Sequence, residues 1–189
     1  MAAKLDAYKI ALKEASKKNA NNKKVFALLN QSLDKRDPRA AYALGTWYLY
    51  GKHVEKNIRK GIKLIRQAAE KNVPDALYDL AVSYETGDCL PKNKKLAAEY
   101  YLRAALYGEK QSIYEVGRCY YYGIGVPKDR RLAKVWFDRA KELGVPGEFV
   151  ITPLPASETI RDSVTSRRTA LVALEQVAGH CSFAQEFCH

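Results

Sequence analysis

The chain repeats itself every 36 residues, and this period constrains the fold more than any single segment does. Small or aromatic residues occupy the repeated positions. The clearest columns are Gly45, Ala81 and Gly117, then Tyr48, Tyr84 and Tyr120, then Gly51, Gly87 and Gly123, and finally Ala68, Ala104 and Ala140. Because these columns stay in register over residues 37–145, we infer three tandem copies of one structural unit.

Each copy has the pattern of two helices. The first helix of the first copy has a buried face formed by Ala41, Leu44, Gly45 and Tyr48, and it ends at Gly51. The second helix follows a short loop, and in the third copy its apolar stripe is Leu132, Ala133, Trp136, Phe137 and Ala140. Neither helix can bury its stripe alone, so the pattern predicts stacked helical hairpins.

The third copy carries a family resemblance. The run from Tyr114 to Asp129, with Gly117 and the loop Gly123-Ile-Gly125-Val, is similar to a Sel-one-like repeat, a relative of the tetratricopeptide repeats. The 36-residue period favours it over the 34-residue tetratricopeptide unit. The resemblance implies an all-α fold: an α-solenoid, a right-handed superhelix of about three 36-residue helix-turn-helix repeats. It also implies a protein-binding adaptor without enzymatic activity.

The predicted units are residues 37–72, 73–108 and 109–145, flanked by two atypical ends. Residues 1–36 are interpreted as a degenerate N-terminal repeat that caps the stack, because Asn21, Lys24, Leu28 and Ser32 fall in the columns of the second helix. Residues 146–189 are interpreted as a Pro-containing linker and a C-terminal amphipathic helix or tail. That segment could cap the third repeat, pair with a second copy to give a weak dimer instead of a monomer, dock on a partner, or be foreign to the repeat protein.

The composition is that of a chain with a buried core, with 47% hydrophobic residues. No apolar stretch is long enough for a membrane span, and the N-terminus lacks the apolar block of a signal peptide, so we expect a cytoplasmic protein that does not bind membranes. Four cysteines without paired spacing predict reduced thiols.

Few residues point to catalysis or to metal binding. His53 is interpreted as a polar loop residue at a glycine position. The mirrored pairs His180-Cys181 and Cys188-His189 are separated by a spacer that matches no usual zinc spacing, so no metal site is predicted. No nucleophile and base can be paired, and we predict no enzyme and no cofactor.

Function is therefore expected on a surface, where residues vary between repeats. On the first-helix side opposite the buried columns, which solenoids of this type turn to their concave face, the candidate contacts are Trp47, Tyr50, Asp79, Glu115, Arg118 and Tyr122. Packing of Trp47 against the preceding unit is the alternative. The pattern predicts a protein-protein interaction module, namely an adaptor, a scaffold or a stoichiometric inhibitor of immunity type, that binds a partner protein or peptide.

Charge offers a second candidate surface. The first 72 residues contain 17 Lys and Arg against 6 Asp and Glu, which accounts for the whole net charge of +11. Within them, Lys56, Arg59, Lys60 and Lys63 are expected to share one helix face as a basic stripe. Such a stripe attracts an acidic protein or a phosphate backbone, or it simply keeps the chain in solution. The alternative function is therefore a nucleic-acid-binding helical repeat that uses the N-terminal half.

Overall fold

The computed structural model describes residues 6–147, which form eight α-helices and no strand. The helices are α1 (Ala7–Ala15), α2 (Asn22–Asp34), α3 (Pro38–Tyr50), α4 (Ile58–Glu70), α5 (Pro74–Thr86), α6 (Lys94–Leu106), α7 (Lys110–Tyr122) and α8 (Arg130–Glu142). The predicted all-α repeat fold is confirmed for this part of the chain.

Successive helices pack as hairpins. The tightest contacts join α1 to α2, α3 to α4, α5 to α6 and α7 to α8, and the second helix of each hairpin then packs against the first helix of the next. This order of contacts is that of a stack in which each unit touches mainly its neighbours.

The same hydrogen bonds close each of the three repeated hairpins. The residue before the second helix caps it, because its side-chain oxygen accepts a bond from the backbone N–H three residues on. Its own N–H donates to a tyrosine carbonyl near the end of the first helix. These pairs are Asn57 with Tyr48, Asn93 with Tyr84, and Asp129 with Tyr120, and each N···O distance is 2.8 or 2.9 Å.

The small residues let the helix backbones approach closely. Where α3 crosses α4, a Cβ on Gly61 would lie 2.8 Å from the backbone nitrogen of Leu49 and 2.9 Å from the carbonyl oxygen of Gly45. No larger side chain fits such a crossing without moving a helix. The first helix of the hairpin then ends at Gly51, in left-handed backbone with a φ of 70°, as the sequence predicts.

The core follows the predicted columns. Ala41 and Leu44 are at most 1% exposed, and Gly45 is also buried, whereas Tyr48 is half-buried. In α8 the predicted stripe is buried at all its positions except Trp136, which is half-buried.

At the N-terminal end, α1 and α2 form a hairpin in register with the repeats. Asn21 caps α2 by accepting a hydrogen bond from the backbone of Lys24, as Asn57 does for α4. Ser32 is 2% exposed in the column that alanine fills in the repeats. This hairpin is the described part of residues 1–36, for which a degenerate repeat remains the prediction.

The C-terminal predictions concern residues that lie almost wholly outside the described part. The amphipathic helix, its capping or dimerising role, and the His and Cys pairs between His180 and His189 fall there. Among the helices that are described, none combines the length and apolar character needed to cross a bilayer.

Candidate protein-interaction surface

The predicted contact residues lie on the first helices of the three repeats. We define the first-helix face as the side of α3, α5 and α7 that carries Tyr50, Asp79, Glu115, Arg118 and Tyr122. Tyr50 is 67% exposed and Tyr122 is 63% exposed, and they occupy the same column at the ends of α3 and α7. The predicted face therefore has an accessible aromatic residue on its first and third helices.

Asp79 joins the first two repeats across this face. Burial raises the pKa of Asp79 on α5, and the nearby Tyr42 hydroxyl on α3 only partly offsets that effect. Burial also raises the pKa of Tyr42, so this hydroxyl keeps its proton at neutral pH.

Arg118 and Glu115 belong to a second link between repeats. The Nε of Arg118 donates to Glu115 at 2.6 Å, and its Nη2 donates to both carboxylate oxygens of Glu85 on α5, at 2.6 and 2.7 Å. The Tyr101 hydroxyl on α6 donates to the same Glu85 at 2.9 Å. Both predicted contact residues therefore have charge partners inside the chain, and only part of each side chain faces solvent.

Trp47 packs against the preceding hairpin. Its ring stacks on Phe26 of α2 with centroids 6.2 Å apart, and the His53 ring lies 4.8 Å away on another side. Trp47 is half-buried and contributes to the core around it. The structure therefore matches the alternative in which Trp47 fills the junction between units.

The equivalent residue in the third repeat shows the same orientation. Cys119 is 1% exposed, so a helical wheel drawn for α7 alone, which places it on the outward side with Arg118 and Tyr122, is wrong at this position. The column of Trp47 and Cys119 points toward the preceding unit, which a wheel drawn for one helix does not contain. Burial raises the pKa of Cys119 to about 12, so its thiol is protonated and unreactive at neutral pH.

The residues of the predicted basic stripe differ in position and in the contacts they make. Lys56 precedes α4, which begins at Ile58, so it does not share the helix face. The Nζ of Lys60 donates to the Tyr48 hydroxyl at 2.8 Å and lies 4.0 Å from the centre of that ring. Only Arg59 and Lys63 remain together.

Arg59 and Lys63 line a crevice that the sequence did not reveal. We define the α4 crevice as the cleft of about 540 Å³ between α4 and the α5–α6 loop. It is lined by Ile58, Arg59, Ile62, Lys63, Arg66, Gln67, Glu70, Cys89 and Leu90. Arg66 was missed as a member of this surface, although its spacing from Arg59 and Lys63 along the helix could have indicated it.

The sequence predicts no metal site, and the described part of the chain bears on this prediction. Among residues 6–147 no group of three or more His, Cys, Asp or Glu side chains converges as a metal site would require. His53, at a φ of 62°, takes the left-handed backbone expected of a glycine position.

Tandem hairpins with an accessible first-helix face define a helical-repeat protein. The Sel1 repeat model matches this sequence three times, at residues 38–73, 74–106 and 110–145. These matches cover more than half of the chain, which therefore belongs to the Sel1 repeat family. Proteins of this family are generally protein-protein interaction modules and are typically non-enzymatic scaffolds.

Solved structures share the fold. A Sel1 repeat protein from Oxalobacter formigenes is 38% identical with a TM-score of 0.59, and the match covers 61% of this chain and 87% of that one. The protective antigen c5321 of uropathogenic Escherichia coli is 22% identical with a TM-score of 0.67, and the match covers 73% of this chain and 30% of that one. Helicobacter pylori cysteine rich protein B is 22% identical with a TM-score of 0.51, and the match covers 69% of this chain and 93% of that one.

The last two similarities show the fold alone. No curated protein matches the sequence significantly.

Proposed function

We propose that this chain is a cytoplasmic adaptor, scaffold or stoichiometric inhibitor that binds a partner protein or peptide on the first-helix face. The exposure of Tyr50 and Tyr122 is the observation that carries the proposal, because both rings leave the core and face the same side. Tyrosine is enriched at binding hot spots, since its ring buries apolar area and its hydroxyl can pair. The free thiols of Cys89 and Cys119 suit a reducing compartment.

The spacing of the two tyrosines indicates the size of the partner segment. Tyr50 lies on α3 and Tyr122 on α7, with the whole second repeat between them. A segment that contacts both tyrosines therefore spans one complete repeat. Between the tyrosines lies the half-buried Asp79, whose carboxylate would fix the register of a bound segment by accepting a hydrogen bond from it.

The test uses three alanine variants in the intact chain. Affinity capture from a lysate, with nuclease and at two salt concentrations, identifies a partner, and calorimetry then measures its affinity. We expect Tyr50→Ala and Tyr122→Ala each to weaken binding by at least about tenfold, the effect of an aromatic hot spot. Thr86→Ala removes the exposed residue of the same column on α5 and serves as the matched control.

Thermal unfolding separates loss of contact from loss of fold. The two tyrosine variants should melt like the parent chain because their rings are mostly exposed. Trp47→Ala should instead lower the stability by about 2–3 kcal/mol, since it empties the junction with Phe26. If the partner binds a chain that carries both Tyr50→Ala and Tyr122→Ala with unchanged affinity, the first-helix face is not the binding site.

The concentration of positive charge in the first 72 residues supports a second candidate, a nucleic-acid-binding repeat. The same capture experiment distinguishes the two functions. If the captured material disappears after nuclease treatment, and if its affinity for the chain falls steeply as the salt concentration rises, the partner is RNA or DNA and not a protein.

A further inference from the structure

The α4 crevice is a second surface, and it shares no residue with the first-helix face. We propose that it binds an extended acidic segment of a partner protein. The carboxylates of that segment pair with Arg59, Lys63 and Arg66, and an aliphatic side chain packs on Ile62 and Leu90. This surface goes beyond the proposed function, which requires only the tyrosines.

The crevice combines an apolar floor with a basic wall. Ile62 and Leu90 are 7% and 8% exposed at its base, and Ile58 is 41% exposed at its edge. Arg59 and Lys63 stand four residues apart on α4, which places them about 6 Å apart along the helix axis. Carboxylates two residues apart in an extended chain are about 6.6 Å apart, so they match this spacing.

The basic residues of the wall have no carboxylate partner within residues 6–147. The ion pairs of this part of the chain involve other cations, and Arg66 donates a hydrogen bond to the Tyr84 hydroxyl at 3.2 Å. Three unpaired cations beside an apolar floor attract a ligand that carries negative charges and one apolar group.

The next repeat provides an internal comparison. A crevice of about 330 Å³ lies in the same place 36 residues on, between α6 and the α7–α8 loop. There Lys95 replaces Arg59, but Glu99 and Leu102 stand in the columns of Lys63 and Arg66. Packing therefore produces the cleft in both repeats, whereas the basic wall is specific to the first.

The lining favours a peptide over a nucleic acid. None of the residues that line the α4 crevice is aromatic, whereas proteins that hold single strands stack bases on aromatic rings. The aliphatic floor suits a Val, Leu or Ile side chain.

The experiment measures binding of a rhodamine-labelled peptide of alternating glutamate and valine to the full chain by fluorescence anisotropy. We expect the triple variant Arg59→Gln, Lys63→Gln, Arg66→Gln to weaken binding at least about tenfold. This factor corresponds to about 1.4 kcal/mol of binding free energy, shared among the three exposed ion pairs with the glutamates of the peptide. The variant Lys9→Gln, Lys13→Gln, Lys18→Gln removes the same charge from exposed α1 and loop positions, and we expect less than about a twofold change. Thermal unfolding verifies that both variants are folded.

Cys89 can serve as a chemical probe of where the peptide binds, because it lines the crevice and is only half-buried. Bound peptide should slow alkylation of Cys89 by iodoacetamide, measured by mass spectrometry of proteolytic fragments. Undiminished alkylation, or an equal loss of affinity in the two triple variants, would overturn the proposal.

Two further probes separate the alternatives. A peptide with glutamine in place of glutamate should not bind, and its binding would reject the charge pairing. Tighter binding of an unstructured oligonucleotide, lost in the Arg59, Lys63, Arg66 triple variant, would assign the crevice to nucleic acid instead. None of these outcomes depends on Tyr50 or Tyr122, so this proposal and the proposed function can fail separately.

Discussion

At the scale of single residues, Gly125 is the described glycine whose added Cβ would make the shortest contact. Its φ is 73°, and a Cβ there would lie 2.0 Å from the carbonyl oxygen of Lys94 at the start of α6. Gly144 has a similar φ of 67°, yet no atom lies within 4 Å of its would-be Cβ. A comparison of substitutions at the two glycines therefore distinguishes the free-energy cost of left-handed backbone from that of a steric clash between repeats.

We predict that Gly144→Ala destabilises the chain by about 1–2 kcal/mol, the cost of an alanine in left-handed backbone. Gly125→Ala should cost at least about 2 kcal/mol more, because the added methyl must push one repeat away from the next. Denaturant unfolding of both variants measures the difference. Equal destabilisation would mean that the α7–α8 loop moves away from α6 without cost.

The burial of a side chain could be predicted from the sequence where packing within one hairpin decides which way that side chain points. Leu44 and Ala41 are examples, since an apolar or small residue recurs at their positions in each copy. Trp47, Cys119 and Arg118 lie at the border between the buried and the outward side. Their environment depends on where the preceding unit sits, and no pattern within one helix contains that information.

At the scale of helices, the asparagine or aspartate before each second helix fixes where that helix begins. Asn93 is the cap of α6: its side chain accepts from the backbone N–H of Leu96 at 3.1 Å. We predict that Asn93→Ala lowers the stability by about 1 kcal/mol, because a backbone N–H at the start of the helix loses its side-chain acceptor. Asn93→Asp retains the acceptor and should stay close to the parent in thermal unfolding.

The same cap explains why the basic stripe was predicted one turn too long. Because Asn57 ends the loop and starts α4, Lys56 lies before the helix and cannot continue its face. Within residues 37–145, two helices per repeat were predicted from the 36-residue period and the apolar pattern of each copy, and the structure has them. The crevices did not, because each forms between a helix of one repeat and a loop of the next.

At the scale of the whole molecule, buried polar links couple neighbouring repeats. Burial alone would raise the pKa of Glu85, but the hydrogen bonds from Arg118 and Tyr101 outweigh it and hold that pKa below its usual value of 4.5. The link therefore stabilises the stack fully above pH 4.5 and is lost as the pH falls through the lowered pKa. In acid the third repeat should separate from the second more readily.

We predict that Glu85→Gln speeds hydrogen exchange in α7 and α8 at neutral pH and leaves α3 and α4 nearly unchanged. The reason is that repeats in a stack open one interface at a time, and the variant weakens the interface before the last described repeat. Asp138→Asn is the control, because it breaks an exposed ion pair with Lys134 inside α8. Uniform exchange across all repeats would show that the stack unfolds as one unit.

The stacking of Trp47 on Phe26 has a spectroscopic consequence. The chain has two tryptophans, and the other, Trp136, packs between the cores of the second and third repeats. Each indole therefore reports on a different junction, the first between α2 and α3 and the second near α8. Replacing them one at a time with phenylalanine would give the chain an intrinsic emission signal at either end of the stack, which shows directly from which end it comes apart.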